Sequence, residues 1–257
     1  MTVLLVDIGN TRIKWARLVG GRLGKRRAAA HSRWRSADYT RRLFGPGRKP
    51  ERMLVASVAG PRVRGMLTAA ARRARVEARF VSVPHHGGGV RVGYPEPWRL
   101  GVDRFVAAVG ARQLFKGTAV CVVGVGTAMT IDLIDAGGRH RGGVIIPAPE
   151  LMVGTLFENT HGIRRRARGG AKAGAGLFGR STRAGVLQGA RYAAAALIDR
   201  AVHEAGALLG QRPLVVMTGG EAPSVRGLVV SPCVGVPDLV LRGLAALAMP
   251  APPVPRG

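Results

Sequence analysis

The chain has 257 residues and a formal net charge of +26, from 40 Lys and Arg against 14 Asp and Glu. With 47% of its residues apolar it is long enough to bury one large core or two smaller ones, yet no apolar run approaches the roughly 18 residues a membrane helix needs. Its two cysteines, Cys121 and Cys233, are too far apart in sequence to suggest a disulfide framework or a zinc site, which makes a reducing cytoplasm the expected compartment.

The first element is a short apolar run, residues 3–6, that reads as a buried strand. Asp7 ends it, so a signal-peptide layout is missing. Gly9-Asn10-Thr11 comes next as a tight turn, and Ile13 and Trp15 alternate with Arg12 and Lys14 as a second strand. The result is a hairpin with a carboxylate at its bend and a glycine turn suited to a phosphate: backbone N–H groups approach closely there, and Asn10 and Thr11 add side-chain donors. An Arg-rich polar region runs on to Arg52, with an amphipathic helix expected over 32–44 and Trp34, Ala37 and Leu43 as its apolar side. Residues 53–58 read as a strand, 62–79 as a helix with its arginines on the solvated side, and 80–83 as another strand. His85-His86 precedes a glycine run with no further ligand at metal spacing, so it reads as a loop. A proline-punctuated loop from Gly93 to Leu100 leads into Gly101-Val102-Asp103-Arg104 and a helical run over 105–115. Asp103 is thereby expected at a helix N-terminus, where an aspartate commonly serves as a cap and where its anionic form is favoured.

The layout of the first hairpin then returns. In Cys121-Val122-Val123-Gly124-Val125-Gly126-Thr127 an apolar strand again enters a glycine turn, and an alternating strand leaves it through Asp132. Gly126 stands where Gly9 stood and Thr127 where Asn10 stood, but Asp7 has Gly124 as its counterpart. Two such hairpins half a chain apart imply two related domains, expected as 1–115 and 116–249 with a disordered tail over 250–257. Further strands are expected at 141–147, 214–217 and 229–230, and helices at 151–157, 182–207 and 238–249. Residues 163–180 read as a charged surface loop. The basic charge is almost entirely Arg, with Lys only at positions 14, 25, 49, 116 and 172. It is spread over the whole length and reads as a solvated surface with salt-sensitive adhesion to polyanions, without a specific nucleic-acid site.

Two glycine-turn hairpins with a third glycine turn, Thr218-Gly219-Gly220, resemble the actin/hexokinase-like ATPase fold. That resemblance implies an α/β protein of two duplicated, actin-like (ribonuclease-H-like) domains, each a mixed sheet with helices, and an ATP cleft between them. The Walker loop and the protein-kinase glycine loop are both missing from the sequence. The order of motifs is more specific. Asp7-x-Gly9-Asn10-Thr11-x-x-Lys14, Tyr94-x-x-Pro97-x-x-Leu100-Gly101-x-Asp103-Arg104, Gly126-Thr127-Ala128-x-Thr130-x-Asp132, Gly142-Gly143-x-Ile145-x-Pro147, Thr182 and Thr218-Gly219-Gly220 together are similar to the type III pantothenate kinases. These enzymes phosphorylate pantothenate with ATP in the first step of coenzyme A synthesis.

The resemblance implies roles position by position. Asp103 matches the catalytic base. Asp7, Ile8, Gly9, Asn10, Thr11, Arg12, Ile13, Lys14 and Thr127 match ATP-contacting positions. Tyr94, Gly101, Val102, Asp103, Arg104 and Thr182 match pantothenate-contacting positions. Apart from the resemblance, the oxygen-ligand chemistry of Mg²⁺ suits Asp7, which could hold it through water, and more weakly Asp132, which could instead close a turn. The family also implies a homodimer and a monovalent cation, K⁺ or NH₄⁺, but the acid that holds the cation is replaced here by Gly124. Ala148 and Glu221 are milder departures. The alternative function is that of a catalytically weak or inactive relative acting as a regulatory or accessory factor, which the lost acid would suit.

Overall fold

The structure, a computed structural model, describes residues 1–45, 49–169, 174 and 176–249. In chain order the first part contains β1 (Thr2–Ile8), β2 (Arg12–Val19), β3 (Arg22–Leu23), β4 (Arg27–Ala30), α1 (Ser36–Phe44), β5 (Arg52–Ser57), α2 (Pro61–Arg73), β6 (Glu77–Phe80), β7 (His86–Gly87), β8 (Val90–Arg91) and α3 (Val102–Leu114). The second contains β9 (Val120–Val125), β10 (Ala128–Ile134), β11 (His140–Pro147), α4 (Pro149–Asn159), α5 (His161–Arg166), α6 (Thr182–Leu209), β12 (Leu214–Thr218), α7 (Ala222–Arg226), β13 (Cys233–Gly235) and α8 (Leu239–Ala248).

These form two compact units. One comprises Met1–Gly117 with Gly138–His140 and Asp238–Gly257; the other comprises Thr118–Gly137 with Arg141–Pro237. A single division at 115/116 keeps 116–249 together, whereas the contacts join α8 to the first unit, where it packs on α3, β1 and β5. The expected tail over 250–257 lies outside the described residues.

The first unit is built on a sheet ordered β3-β2-β1-β5-β6, with β4 also paired to β2. β1 is buried along its whole length, as a central strand covered on both faces must be. It runs antiparallel to β2 and parallel to β5. Strand alternation then sorts its residues. Leu4, Val6 and Ile8 join Tyr39 and Leu43 of α1 and Leu67, Ala70 and Ala71 of α2 in one core. Val3, Leu5 and Asp7 fall on the opposite face.

The second unit repeats the plan as β11-β10-β9-β12-β13, with β9 antiparallel to β10 and parallel to β12. Cys121, Val123 and Val125 pack with Ala194, Ala195 and Ile198 of α6, so Gly124 falls on the other face. Thus both sheets carry the duplication that the two hairpins imply.

Several elements end differently from the sequence expectation. On α1 it is Tyr39 and Leu43 that are buried, while Ala37 is exposed. α2 stops at Arg73, because Arg75 takes a left-handed φ of 53° and the Val76 N–H bonds back to the Ala71 carbonyl at 2.9 Å. This is a Schellman ending with arginine where glycine is usual, so the next strand begins at Glu77 and closes at Phe80. Residues 161–166 are helical. Val229 and Val230 form no strand: the Asp199 carboxylate accepts the Val230 and Ser231 N–H groups at 3.0 and 2.9 Å, and the pairing with β12 is made by Cys233–Gly235.

Candidate active site

In the first unit the site grows from the β1–β2 register. Asp7 faces Lys14 directly across the hairpin, and Lys14 Nζ lies 3.4 Å from Asp7 Oδ2. Asp7 sits at the end of β1, on the face away from α1 and α2. Burial raises its pKa, the Lys14 ammonium opposes that rise, and the charge of Asp103 adds to it. Two carboxylates from distant parts of the sequence are therefore within electrostatic reach of one another, and Lys14 lies beside Asp7.

The turn itself closes through Gly9 N–H to the Arg12 carbonyl at 3.0 Å. Among the residues expected to meet ATP, Ile8 and Ile13 are fully buried, so their side chains serve the core. Asn10, Thr11 and Arg12 are exposed and leave the turn accessible.

Asp103 enters from α3. Gly101 occupies the N-cap, so Asp103 is the second helical residue; the expected capping role falls to its neighbour. Its Oδ1 accepts the Arg104 backbone N–H at 2.9 Å. A Cβ at Gly101 would lie 2.8 Å from that oxygen, so the glycine makes room for the carboxylate. Arg104 is buried, and its Nη1 stands 3.5 Å from the Tyr94 hydroxyl. The Tyr94 ring packs against His140 with centroids 5.5 Å apart.

In the second unit the register sets Gly124 opposite Thr130. The charged pair Asp7–Lys14 of the first hairpin thus has an uncharged equivalent. Gly126 N–H bonds to the Ala128 carbonyl at 3.0 Å and the Ala148 N–H to the Thr127 carbonyl at 3.2 Å, while the Glu221 N–H bonds to the Val125 carbonyl at 3.1 Å. Gly219 has φ 110°, and a Cβ there would come within 2.0 Å of the Val125 oxygen, so the third glycine turn is pressed onto the second. Burial, then the neighbouring Glu150, raises the pKa of Glu221. Thr182 opens α6 behind the Ser181 cap, whose hydroxyl accepts the Ala184 N–H at 3.1 Å. Asp132 lies within β10 opposite Val122 rather than closing a turn. It is buried and helps push the Cys121 thiol up to about 12, mainly through that thiol's own burial.

Sequence reasoning missed His31 and His140. His31 Nε2 lies 2.8 Å from the Gly9 carbonyl oxygen and its Nδ1 3.1 Å from the Tyr39 hydroxyl. Neither histidine lies in a motif; only strand register and chain return bring them to the site.

Residues 3–204 match the family model described as type III pantothenate kinase. A protein of that name from Nitrosococcus oceani is 36% identical over 251 residues, covering 96% of this chain and 93% of its own. One from Stenotrophomonas maltophilia is 36% identical over 252 residues, covering 98% and 99%. Among solved structures, a protein described as a Baf family transcriptional activator from Campylobacter jejuni superposes with a TM-score of 0.58 at 16% identity, over 95% of this chain and 96% of its own. A ROK family glucokinase from Streptomyces griseus gives 0.52 at 11% identity, over 96% and 98%. At such identities the likeness is one of fold.

Proposed function

The chain belongs to the type III pantothenate kinase family, and from that premise we propose that it transfers the γ-phosphoryl group of ATP to the hydroxyl of pantothenate, giving 4′-phosphopantothenate and ADP. The observation that carries the reaction is the Asp7–Lys14 pair at the accessible Gly9–Arg12 turn, with the charge of Asp103 acting on Asp7 in the same unit. Phosphoryl transfer demands positioning and charge neutralisation more than a strong base. Asp103 orients the attacking hydroxyl and takes its proton as the new O–P bond forms and the bond to ADP breaks. Lys14 offsets charge on the phosphates, with Gly9, Asn10 and Thr11 as further contacts. Arg104, aligned by Tyr94, suits the pantothenate carboxylate through its planar fork.

Mg²⁺ fits this chain's chemistry at Asp7. The ion prefers one or two carboxylates, several waters and the substrate's phosphates over an all-protein cage. Among the described residues no group of three or more His, Cys, Asp or Glu could form such a cage. Burial and the charge of Asp103 disfavour the ionised form of the Asp7 carboxylate, and a divalent cation held there would stabilise it. When bound, the ion would neutralise phosphate charge. Asp132, buried within its strand, is the weaker holder. Gly124 offers no side-chain oxygen, so this position does not fit the family's monovalent cation.

A cytoplasmic homodimer completes the proposal. Its support is the edge strand β11 with exposed Val144 and Ile145, and α4 with exposed Leu151 and Leu156. No described helix is long and apolar enough to cross a membrane. The family model and the curated relatives favour the kinase over the accessory-factor alternative, and the neighbour described as a transcriptional activator is alike in fold alone. The test is ATP consumption with and without pantothenate in Mg²⁺. Pantothenate-dependent turnover with a product heavier by one phosphoryl group is expected, and its absence from folded protein overturns the reading.

A further inference from the structure

β4 is only four residues long, and its register fixes where the chain goes next. Ala30 pairs with Arg12, so His31, directly after it, arrives opposite the turn. There it makes two bonds to the turn. Its backbone N–H donates to the Thr11 carbonyl at 3.3 Å, and its Nε2 lies 2.8 Å from the Gly9 carbonyl oxygen. A carbonyl only accepts, so Nε2 carries the proton, and the Nε2–H tautomer leaves Nδ1 to accept from the Tyr39 hydroxyl at 3.1 Å. Burial raises the pKa of Tyr39 and keeps that hydroxyl protonated. The relay sits in a closed aromatic environment: Trp34 meets Tyr39 edge-on at 5.1 Å and Trp15 at 6.2 Å, and His31 itself is 4% exposed.

In a trans peptide the carbonyl and the following N–H point in opposite directions. Anchoring the Gly9 carbonyl on His31 therefore turns the Asn10 N–H away from His31, and anchoring the Thr11 carbonyl to the His31 N–H fixes the far side of the same turn. A turn whose carbonyls are held away on one side can offer its remaining N–H, and the exposed side chains of Asn10 and Thr11, to an anion. We propose that His31, backed by Tyr39, is a positioning residue that holds the Gly9–Arg12 turn in the conformation that receives the phosphates of ATP. The proposal rests on the reading of this turn as a phosphate contact.

The test is steady-state kinetics with each substrate varied, alongside thermal melts. Loss of one such buried hydrogen bond corresponds to roughly tenfold in binding. His31→Ala should raise KM for ATP by about that factor and leave KM for pantothenate within about twofold. His31→Gln, whose amide nitrogen can reach the Gly9 carbonyl, should restore most of the loss. Tyr39→Phe should shift KM for ATP in the same direction by less. A lower melting temperature with both KM values unchanged would mean that His31 only stabilises the fold, and overturns the proposal. Should His31→Ala not fold, His31→Asn keeps a polar side chain but places its amide short of Gly9, and an unchanged KM for ATP in that variant overturns the proposal equally. Asn10→Ala separates the two levels. If it raises KM for ATP while His31→Ala does not, the positioning role fails and the phosphate reading stands. If neither raises it in an active enzyme, the phosphate reading itself fails.

Discussion

Asp103 does not hold the cap of its helix, and its contact with the Arg104 backbone N–H survives a conservative change. Gly101 holds the cap, and an asparagine at 103 still offers an oxygen to the Arg104 N–H. Asp103→Asn should thus lower kcat by about 10²–10⁴, the usual share of a positioned base. The lost charge at the helix start costs only about 0.3–1 kcal/mol. Near-wild-type kcat with an unchanged melt would mark the carboxylate as structural. Gly124 carries a second prediction. Turnover should depend little on K⁺, and Gly124→Asp should introduce that dependence or raise turnover in K⁺. The added Cβ would meet the Thr130 hydroxyl oxygen at 3.0 Å, a contact that a small shift of the threonine side chain relieves. A titration of kcat/KM against K⁺ at constant ionic strength decides the matter, and a strong K⁺ requirement in the unmodified protein sinks the idea. At this scale the sequence was legible where chemistry sits in contiguous motifs, as at Asp7, Lys14 and Asp103. It was silent at His31, because the contact with Gly9 is created by the pairing of β4 with β2, and nothing local marks it.

Hairpins were readable because period-two alternation and a glycine turn coincide. Helix ends were less so: α2 ends on an arginine in a glycine's conformation, and the apolar pair Val229-Val230 lost its place in the sheet to the Asp199 carboxylate. Packing between helices was not readable at all. α3 and α8 approach so closely that a Cβ on Gly243 would lie 1.9 Å from the Val106 oxygen, and one on Gly110 2.4 Å from the Leu239 oxygen. Both obstacles are backbone and cannot swing aside. Gly243→Ala should destabilise the protein by about 1–3 kcal/mol or more. Gly189→Ala on α6, where a Cβ meets nothing within 4 Å, should instead stabilise by about 0.4–1 kcal/mol. Denaturant melts of the two variants check both signs, and equal midpoints would refute the close approach.

Over the whole molecule, the duplicated sheet plan was legible from two hairpins, while the return of α8 to the first unit was not, since an apolar helix carries no address. The charge of +26 belongs to this scale too. Arginines lie on β-strands, helices and loops of both units, so binding to polyanions should be weak and lost by physiological salt. A gel shift that persists at that salt with sequence preference would overturn this.

The place of α8 also orders events on the ribosome. Synthesis proceeds from the N-terminus, and domains ordinarily fold as they emerge. Here the second unit, Thr118–Gly137 with Arg141–Pro237, is fully synthesised before the first, which must wait for α8. Until then the seat of α8 on β1, β5 and α3 is open apolar surface. A nascent chain interrupted after Pro237 would carry a finished second half and an unfinished first. Such a chain is a natural client for chaperones and proteases, even though every residue of the Asp7–Lys14 hairpin and of Asp103 has already been made.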